Sequence, residues 1–328
     1  MNKIALAIHG GAGTILRSQM TLDLEREYRN GLETALKAGW AILNNGGTSL
    51  DSVETAVASL EDFPLFNAGR GSVFTHEGEQ EMDASIMDGS NLKAGAVAFV
   101  KNIKNPVKLA RLVMERTEHV LLAGEGANQF AEQIGMETAP DEYFFTEHRW
   151  LQLQEAMAEG RIQLDHADIS TAETLRRREF SEPGEVANGS SAKPIGTVGA
   201  VACDRRSHLA AATSTGGMTN KKLGRVGDTP IIGSGTYADE VCAVSCTGHG
   251  EYFMRCVTAY DVAAQMKYKG SSLVEAAQDS INYLGSIGGE GGLIAVDSQG
   301  NTTLPFNSEG MYRGYVNKNG DFTIDIFR

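Results

Sequence analysis

The step from Gly196 to Thr197 supplies the residue types for catalysis by an N-terminal threonine. If the peptide bond between them is cut, Thr197 gains a free α-amine beside its own hydroxyl. The hydroxyl is then a nucleophile, and the amine, with an ordinary pKa of ~7.7–8.0, accepts its proton around neutral pH. Gly196 suits the other side of the bond because it has no Cβ to block attack on its carbonyl. The step predicts a self-cleaving precursor of a hydrolase, but the start of an ordinary strand also explains these two residues.

Composition narrows the class of protein. The chain has 328 residues, 41% of them hydrophobic, which is enough for one large domain or two smaller ones. A formal charge of −13 argues against a surface for nucleic acid or anionic membrane, because both need a positive field. The four cysteines show no CxxC or zinc spacing and predict free thiols. The apolar run 4–8 is too short for a signal peptide, so we expect a cytoplasmic protein.

Apolar periodicity predicts the elements that position the residues around Thr197. In the first half we expect strands over 3–8, 94–100 and 119–122, with a tight glycine loop after residue 8. Helices are predicted over 24–43, from a Thr48 cap to residue 60, over 106–116 and from 150 to about 160. Residues 161–196 are polar, which predicts a mobile linker.

The second half combines strands and helices. A hairpin over 198–212 turns at 204–207, and strands are predicted near Ile231 and Val241. Helices over 252–266 and 272–283 are followed by strands over 292–296, 302–304, 312–316 and 322–326. Strands followed by helices and then by more strands favour a layered α+β fold.

Seven short motifs occur in a fixed order along the chain. They are HGGAG at 9–13, FNAGRGSV at 66–73, MDASIMDG at 82–89, PIGTVGAVA at 194–202, ATSTGG at 212–217, GRVGDTP at 224–230 and CTG at 246–248. Together they make the sequence similar to the plant-type L-asparaginase and isoaspartyl aminopeptidase (β-aspartyl peptidase) family of N-terminal-nucleophile (Ntn) hydrolases. The resemblance extends over nearly the whole chain.

This resemblance implies a fold and a processing scheme. The fold is a four-layer αββα sandwich over residues 1–328, cut between Gly196 and Thr197 into an α fragment, 1–196, and a β fragment, 197–328. The fragments stay folded together, and two such pairs form a dimer. The implied reactions are hydrolysis of L-asparagine to L-aspartate and ammonia, and of β-aspartyl dipeptides. The alternatives are a glycosylasparaginase-type hydrolase and an uncleaved homologue that only binds a small molecule.

Catalytic roles follow from the resemblance at matching positions. Thr197 is the nucleophile, and Thr215 lies close to it and orients it. Thr247 and Gly248 provide a hydroxyl and a backbone N–H for the oxyanion. Asn67 reaches the site to contact water or the leaving group. For these residues the structural alternatives are ordinary strand and turn positions.

Substrate recognition needs a fixed cation and a fixed anion, because an aspartyl substrate carries an α-carboxylate and an α-ammonium. Arg225 and Asp228 provide this pair, and arginine binds a carboxylate bidentately. Lying three residues apart in a glycine-flanked loop, they could instead pair with each other as a surface ion pair.

The resemblance also implies a structural sodium ion and no catalytic cofactor. Backbone carbonyls are hard oxygen ligands that leave no side-chain signature. The implied ligands are the carbonyls of Leu60, Glu61, Phe63, Phe66, Ala68 and Arg70.

Two histidines lie near the predicted site. The strip 9–13 lies beside the cleavage point in the family, which gives His9 a supporting role, and a hydrogen-bonded structural histidine is the alternative. His249 adjoins the predicted oxyanion hole, and its effect on substrate preference is left open.

Overall fold

The computed structural model describes residues 4–160, 196–317 and 319–328. Its strands are β1 (Ala5–Gly13), β2 (Met82–Asp88), β3 (Lys93–Val100), β4 (Leu121–Ala123), β5 (Val198–Cys203), β6 (Leu209–Thr215), β7 (Thr236–Ala238), β8 (Cys242–Gly248), β9 (Gly291–Asp297), β10 (Thr302–Thr303), β11 (Gly310–Val316) and β12 (Phe322–Phe327). The larger sheet has the order β12-β11-β1-β5-β6-β2-β3-β4, and the smaller one β10-β9-β8-β7. The predicted linker 161–196 lies outside the described residues except for Gly196.

The helices flank the two sheets. They are α1 (Leu22–Asn44), α2 (Ser49–Glu61), α3 (Pro106–Arg116), α4 (Gly124–Gln133), α5 (Asp141–Phe144), α6 (Glu147–Ala158), α7 (Gly250–Cys256), α8 (Thr258–Ala264) and α9 (Leu273–Ser286). Thr48 caps α2 by accepting the Asp51 N–H at 3.1 Å, and Pro106 occupies the first turn of α3, where its missing N–H costs nothing. No helix in the described ranges is long and apolar enough to cross a membrane.

Three apolar cores separate four layers. One core lies between the larger sheet and α1, α2 and α3, a second between the two sheets, and a third between the smaller sheet and α8 and α9. Along β5 the side chains alternate, since Ala200 belongs to the helix-side core and Val201 to the core between the sheets. Both faces of the sheet are therefore buried, and the predicted αββα layering is confirmed.

The strand that follows Thr197 lies in the middle of the larger sheet. β5 is flanked by β1 and β6, with Val198 paired to Ser214 and Gly199 paired to His9. Because β5 and β6 are antiparallel, the start of β5 lies beside the end of β6. This register brings Thr197 next to Thr215.

The predicted glycine loop after residue 8 is wrong, because β1 continues to Gly13. Gly11 and Gly13 pair with β11, and the register shifts at Gly10, between His9 and Gly11. Gly11 has a φ of +116°, a conformation that glycine adopts without strain. The glycines therefore extend the strand past the site instead of ending it.

The predicted helix over 252–266 is also wrong, because it is broken at Val257, whose φ is +50°. Ala259 and Tyr260, in the first turn of α8, donate their N–H groups to the carbonyls of Ser234 and Gly233 at 3.2 and 2.8 Å. These acceptors are distant in sequence, so local periodicity could not show the break.

Other predicted elements fall close to their observed positions. The strand near Ile231 is an exception, because this residue lies in a turn, with its N–H on the carbonyl of Asp228. Strands β2 and β7 and helices α4 and α5 are additions to the predicted elements. All four cysteines are free, as expected.

Gly95 marks the closest approach between β3 and α3. A Cβ at this position would lie 2.0 Å from the carbonyl oxygen of Ala110. We expect Gly95→Ala to lower the free energy of unfolding by about 1–3 kcal/mol, because the helix must move away from the sheet. Urea unfolding measures this, with Gly126→Ala as the matched control, since nothing lies within 4 Å of a Cβ there. Equal stability of the two variants would contradict the close packing.

Candidate active site

The carbonyl oxygen of Gly196 accepts two side-chain hydrogen bonds. Asn67 Nδ2 donates to it at 2.8 Å and Thr215 Oγ1 at 3.2 Å. The Asn67 amide is fixed in this orientation, because its Nδ2 also donates to Gly217 O at 2.7 Å and its Oδ1 accepts the Val73 N–H at 3.0 Å. The bond predicted to break is thus polarised by two donors.

Thr215 links Thr197, the predicted nucleophile, to this carbonyl. Thr197 Oγ1 donates to Thr215 Oγ1 at 3.1 Å, and the N–H of Gly217 donates to the same oxygen at 2.9 Å. With two donors directed at it, the Thr215 hydroxyl directs its own proton to Gly196. Both threonines are buried, with exposures of 6% for Thr197 and 2% for Thr215. The hydroxyl of Thr197 is therefore held in one orientation.

Thr247 and Gly248 end β8 and retain donors for an incoming oxygen. Thr247 Oγ1 accepts the N–H of Ala12 at 3.3 Å, so its own proton can serve another acceptor. Gly248 pairs with Gly291, whose N–H and carbonyl both bond to Asn307 instead of β8. In an antiparallel ladder this makes a non-hydrogen-bonded pair, so the N–H of Gly248 points away from β9.

Arg225 pairs with Glu251 and not with Asp228 as the alternative interpretation expected. Its Nε and Nη2 bond to the two carboxylate oxygens of Glu251 at 3.0 and 3.2 Å, and Nη1 has no hydrogen bond to another described residue. Sequence reasoning missed Glu251. An acidic residue in the first turn of a helix such as α7 is usually explained by its favourable interaction with the helix dipole.

Asp228 is a buried carboxyl group whose Oδ2 has no hydrogen-bond partner among the described residues. Burial raises its pKa to about 7, against the opposing effect of Arg225. A buried oxygen without a partner suits a cationic ligand, because an ammonium would supply the missing donor.

The cleft at this point brings together most of the predicted site. It is lined by Gly196, Thr197, Thr215, Gly217, Met218, Arg225, Gly227, Asp228, Thr229 and Gly248. Its free volume is about 10 Å³, room for about one water molecule. Gly196 itself is part of the lining, so the uncut chain leaves no space for an amino acid.

His9 contacts the backbone of Thr197. Its Nδ1 lies 2.9 Å from Thr197 O, so Nδ1 carries the proton, and Nε2 accepts from Ser245 Oγ at 2.9 Å. Burial lowers the pKa of His9 to about 3, although the bond to Thr197 opposes this, so the ring is neutral. The buried hydroxyl chain continues from Ser245 through Thr213, Thr236 and Ser85. Sequence reasoning missed these hydroxyls, because serine and threonine in strands are explained by β-propensity.

The carbonyls predicted to bind sodium lie at the end of α2 and in the loop that follows it. Those of Phe63, Phe66 and Ala68 each accept one backbone N–H, which leaves each a second lone pair. The carbonyl of Leu60 accepts from Asp62 and Phe63. The buried Arg149, which the sequence did not reveal, donates to Leu65 O at 3.1 Å and to Gly71 O at 2.8 Å. Burial lowers its pKa to about 10, so it stays charged near neutral pH. The oxygen donors of this loop fit a hard monovalent cation.

His249 precedes α7, and its ring packs edge-on against that of Tyr252 at 5.9 Å between centroids. It adjoins Gly248, as the sequence requires. In the described part of the chain, no group of three or more His, Cys, Asp or Glu side chains is arranged to hold a metal ion.

Comparison with known proteins identifies the family. A family model described as Asparaginase matches residues 2–326. The chain belongs to this family. The resemblance inferred from the seven motifs is thereby confirmed, and with it the class of enzyme, a hydrolase.

Curated relatives of the chain match it over nearly their whole length. The isoaspartyl peptidase of Salmonella typhimurium is 49% identical over 330 residues, covering 100% of both chains. That of Escherichia coli is 48% identical, covering 100% of this chain and 97% of its own. The probable isoaspartyl peptidase/L-asparaginase 2 of Arabidopsis thaliana is 41% identical over 98% of each.

Proposed function

We propose that the chain is an autoprocessing amidohydrolase that converts L-asparagine to L-aspartate and ammonia and hydrolyses β-aspartyl dipeptides. One observation carries the proposal. The carbonyl of Gly196 is held by Asn67 and Thr215 while the hydroxyl of Thr197 donates to the same Thr215. The names of the relatives support the substrates, since they are called isoaspartyl peptidases or L-asparaginases.

Self-cleavage proceeds by transfer of an acyl group from nitrogen to oxygen. Thr197 Oγ1 attacks the Gly196 carbonyl carbon, the peptide C–N bond breaks, and the hydroxyl proton ends on the amine of Thr197. Asn67 and Thr215 donate to the oxyanion that forms on Gly196. Water then hydrolyses the ester, leaving Gly196 with a carboxylate and Thr197 with a free amine. The products are the fragments 1–196 and 197–328, and the family resemblance supports a dimer of such pairs.

Substrate hydrolysis reuses the same oxygen after Gly196 has left the cleft. The amine of Thr197 takes the hydroxyl proton as Oγ1 attacks the side-chain carbonyl of the substrate, and it returns the proton to the departing ammonia or amine. Thr247 Oγ1 and the N–H of Gly248 donate to the oxyanion. Water then releases aspartate from the ester. The small volume of the uncut cleft supports this order, because a substrate has no room there until Gly196 has left.

Recognition of the substrate's two charges falls to Arg225 and Asp228. The free Nη1 edge of Arg225 binds the α-carboxylate, and Asp228 Oδ2 accepts from the α-ammonium. Both residues line the cleft that contains Thr197.

Replacing the nucleophile tests the proposal. Thr197→Ala removes the attacking oxygen, so we expect ammonia release from L-asparagine and hydrolysis of a β-aspartyl dipeptide to fall by at least about 10³-fold. Thr197→Ser keeps an oxygen and retains part of both activities. Thr55→Ala, on the outer helix layer, is the control. Full activity in Thr197→Ala would refute the assignment.

The raised pKa of Asp228 predicts how substrate affinity depends on pH. Below about pH 7 the carboxyl is protonated and offers no charge to the α-ammonium, whereas above it the carboxylate binds. We therefore expect KM for L-asparagine to fall as the pH rises from about 6 to 8. Asp228→Asn, of equal size, removes this trend and raises KM. If the variant keeps the wild-type pH dependence of KM, another group is responsible.

We also propose that sodium stabilises the loop that carries Asn67, bound by the carbonyls of Leu60, Glu61, Phe63, Phe66, Ala68 and Arg70. Replacing sodium chloride by choline chloride at equal ionic strength should lower the thermal unfolding midpoint, because a ligand bound only to the folded state adds about 1–3 kcal/mol at 10–100 times its Kd. Identical midpoints in the two salts would rule the site out.

A further inference from the structure

Lys221 is a buried cation that the proposed mechanism does not use. Its side chain has no solvent exposure, and its ammonium donates to two backbone carbonyls, Glu81 O at 2.8 Å and Gly216 O at 3.0 Å. Burying a lysine is costly, and fully buried lysines are rare unless their charge is compensated. The position of Lys221 therefore calls for a physical reason.

Among the described residues Lys221 has no direct ion pair, and the main acid acting on its charge is the buried Asp83. Asp83 is fully buried, accepts the Phe99 N–H at 2.9 Å through Oδ1, and has no hydrogen-bond partner for Oδ2 among the described residues. Burial lowers the pKa of Lys221, and the charge of Asp83 opposes that shift. The ammonium therefore donates its hydrogen bonds to backbone carbonyls and not to a carboxylate.

One of these carbonyls belongs to the peptide unit that controls Thr215. The Gly216 carbonyl and the Gly217 N–H are the two ends of a single peptide group. Lys221 holds its oxygen, and the N–H donates to Thr215 Oγ1 at 2.9 Å. A cation on the oxygen of a peptide polarises it and strengthens the N–H as a donor.

The geometry of Gly217 makes this contact close. Its φ is +83°, and a Cβ there would lie 3.1 Å from Lys221 Nζ. The carbonyl of Gly217 accepts from Asn67. Lys221 therefore lies beside the Gly216–Gly217 segment. Asn67 and Thr215, the two donors on the Gly196 carbonyl, are both hydrogen-bonded to this segment.

We propose that Lys221 is a positioning residue for both self-cleavage and turnover. Its ammonium fixes and polarises the Gly216–Gly217 peptide, so that Thr215 accepts from Gly217 and from Thr197 and directs its own proton to the Gly196 carbonyl. This inference rests on the proposed function. It adds a residue that touches neither the scissile bond nor the substrate.

The test is Lys221→Met, which preserves the length of the side chain without its charge. We expect self-cleavage, followed by intact mass, to slow by at least about tenfold, which corresponds to ~1.4 kcal/mol in the barrier. In the cleaved protein kcat should fall by a similar factor while KM for L-asparagine changes less than about threefold, because Arg225 and Asp228 are retained.

Two control variants separate positioning from general damage. Lys101→Met removes a neighbouring cation that pairs with Glu79 and Glu81 and does not touch Gly216, so its rates should match the wild type. Val113→Ala, in the helix-side core, lowers stability without approaching the site. If Lys221→Met does not fold, Lys221→Gln, which keeps an N–H donor without the charge, is measured in its place.

The outcomes distinguish this inference from the proposed function. If the wild type neither splits nor turns over asparagine, the proposed function falls and the inference with it. If the wild type splits and the Lys221 variant keeps both rates, only the role of Lys221 is overturned. That role is likewise overturned if Val113→Ala, at equal loss of stability, slows both reactions as much.

Discussion

The carbonyl oxygen of Gly196 is the point at which separate layers of the molecule meet. Asn67 reaches it from the loop after α2, and Thr215 reaches it from the end of β6, the strand beside the one that Thr197 begins. Two donors on one carbonyl require both elements to be placed within tenths of an ångström, because hydrogen bonds weaken quickly with distance and angle. The central position of β5 and the path of the loop after α2 meet this requirement.

Many of the buried side chains near this carbonyl are polar and not apolar. A neutral His9, bonded to a chain of buried hydroxyls, contacts the carbonyl of Thr197, and the buried Lys221 contacts the carbonyl of Gly216. Each buried polar group costs free energy unless it is bonded, so the hydrogen bonds of this network stabilise one another. The neighbouring apolar core between the sheets supplies the packing that holds the network in place.

Much of this architecture can be predicted from the sequence, and the failures have physical causes. Strong periodicity and caps locate α1, α2 and α3, and the hairpin of β5 and β6 follows from two apolar runs and a polar turn. The path of β1 through its glycines and the break at Val257 depend on contacts with distant residues, so local patterns miss them. Ordered motifs predict the cluster around Thr197. They do not reveal Glu251, Arg149 and Lys221, because a charged residue gives no sign in sequence that it will be buried or bidentate.

Self-cleavage is tested most directly by the mass of the purified wild-type chain, followed from isolation over days. We expect two species, one with Thr197 at its N-terminus, whose masses sum to that of the whole chain plus one water. Hydrolysis of L-asparagine should appear in step with them. An active protein that remains a single polypeptide through Gly196 and Thr197 would contradict the role of Thr197 as an N-terminal nucleophile.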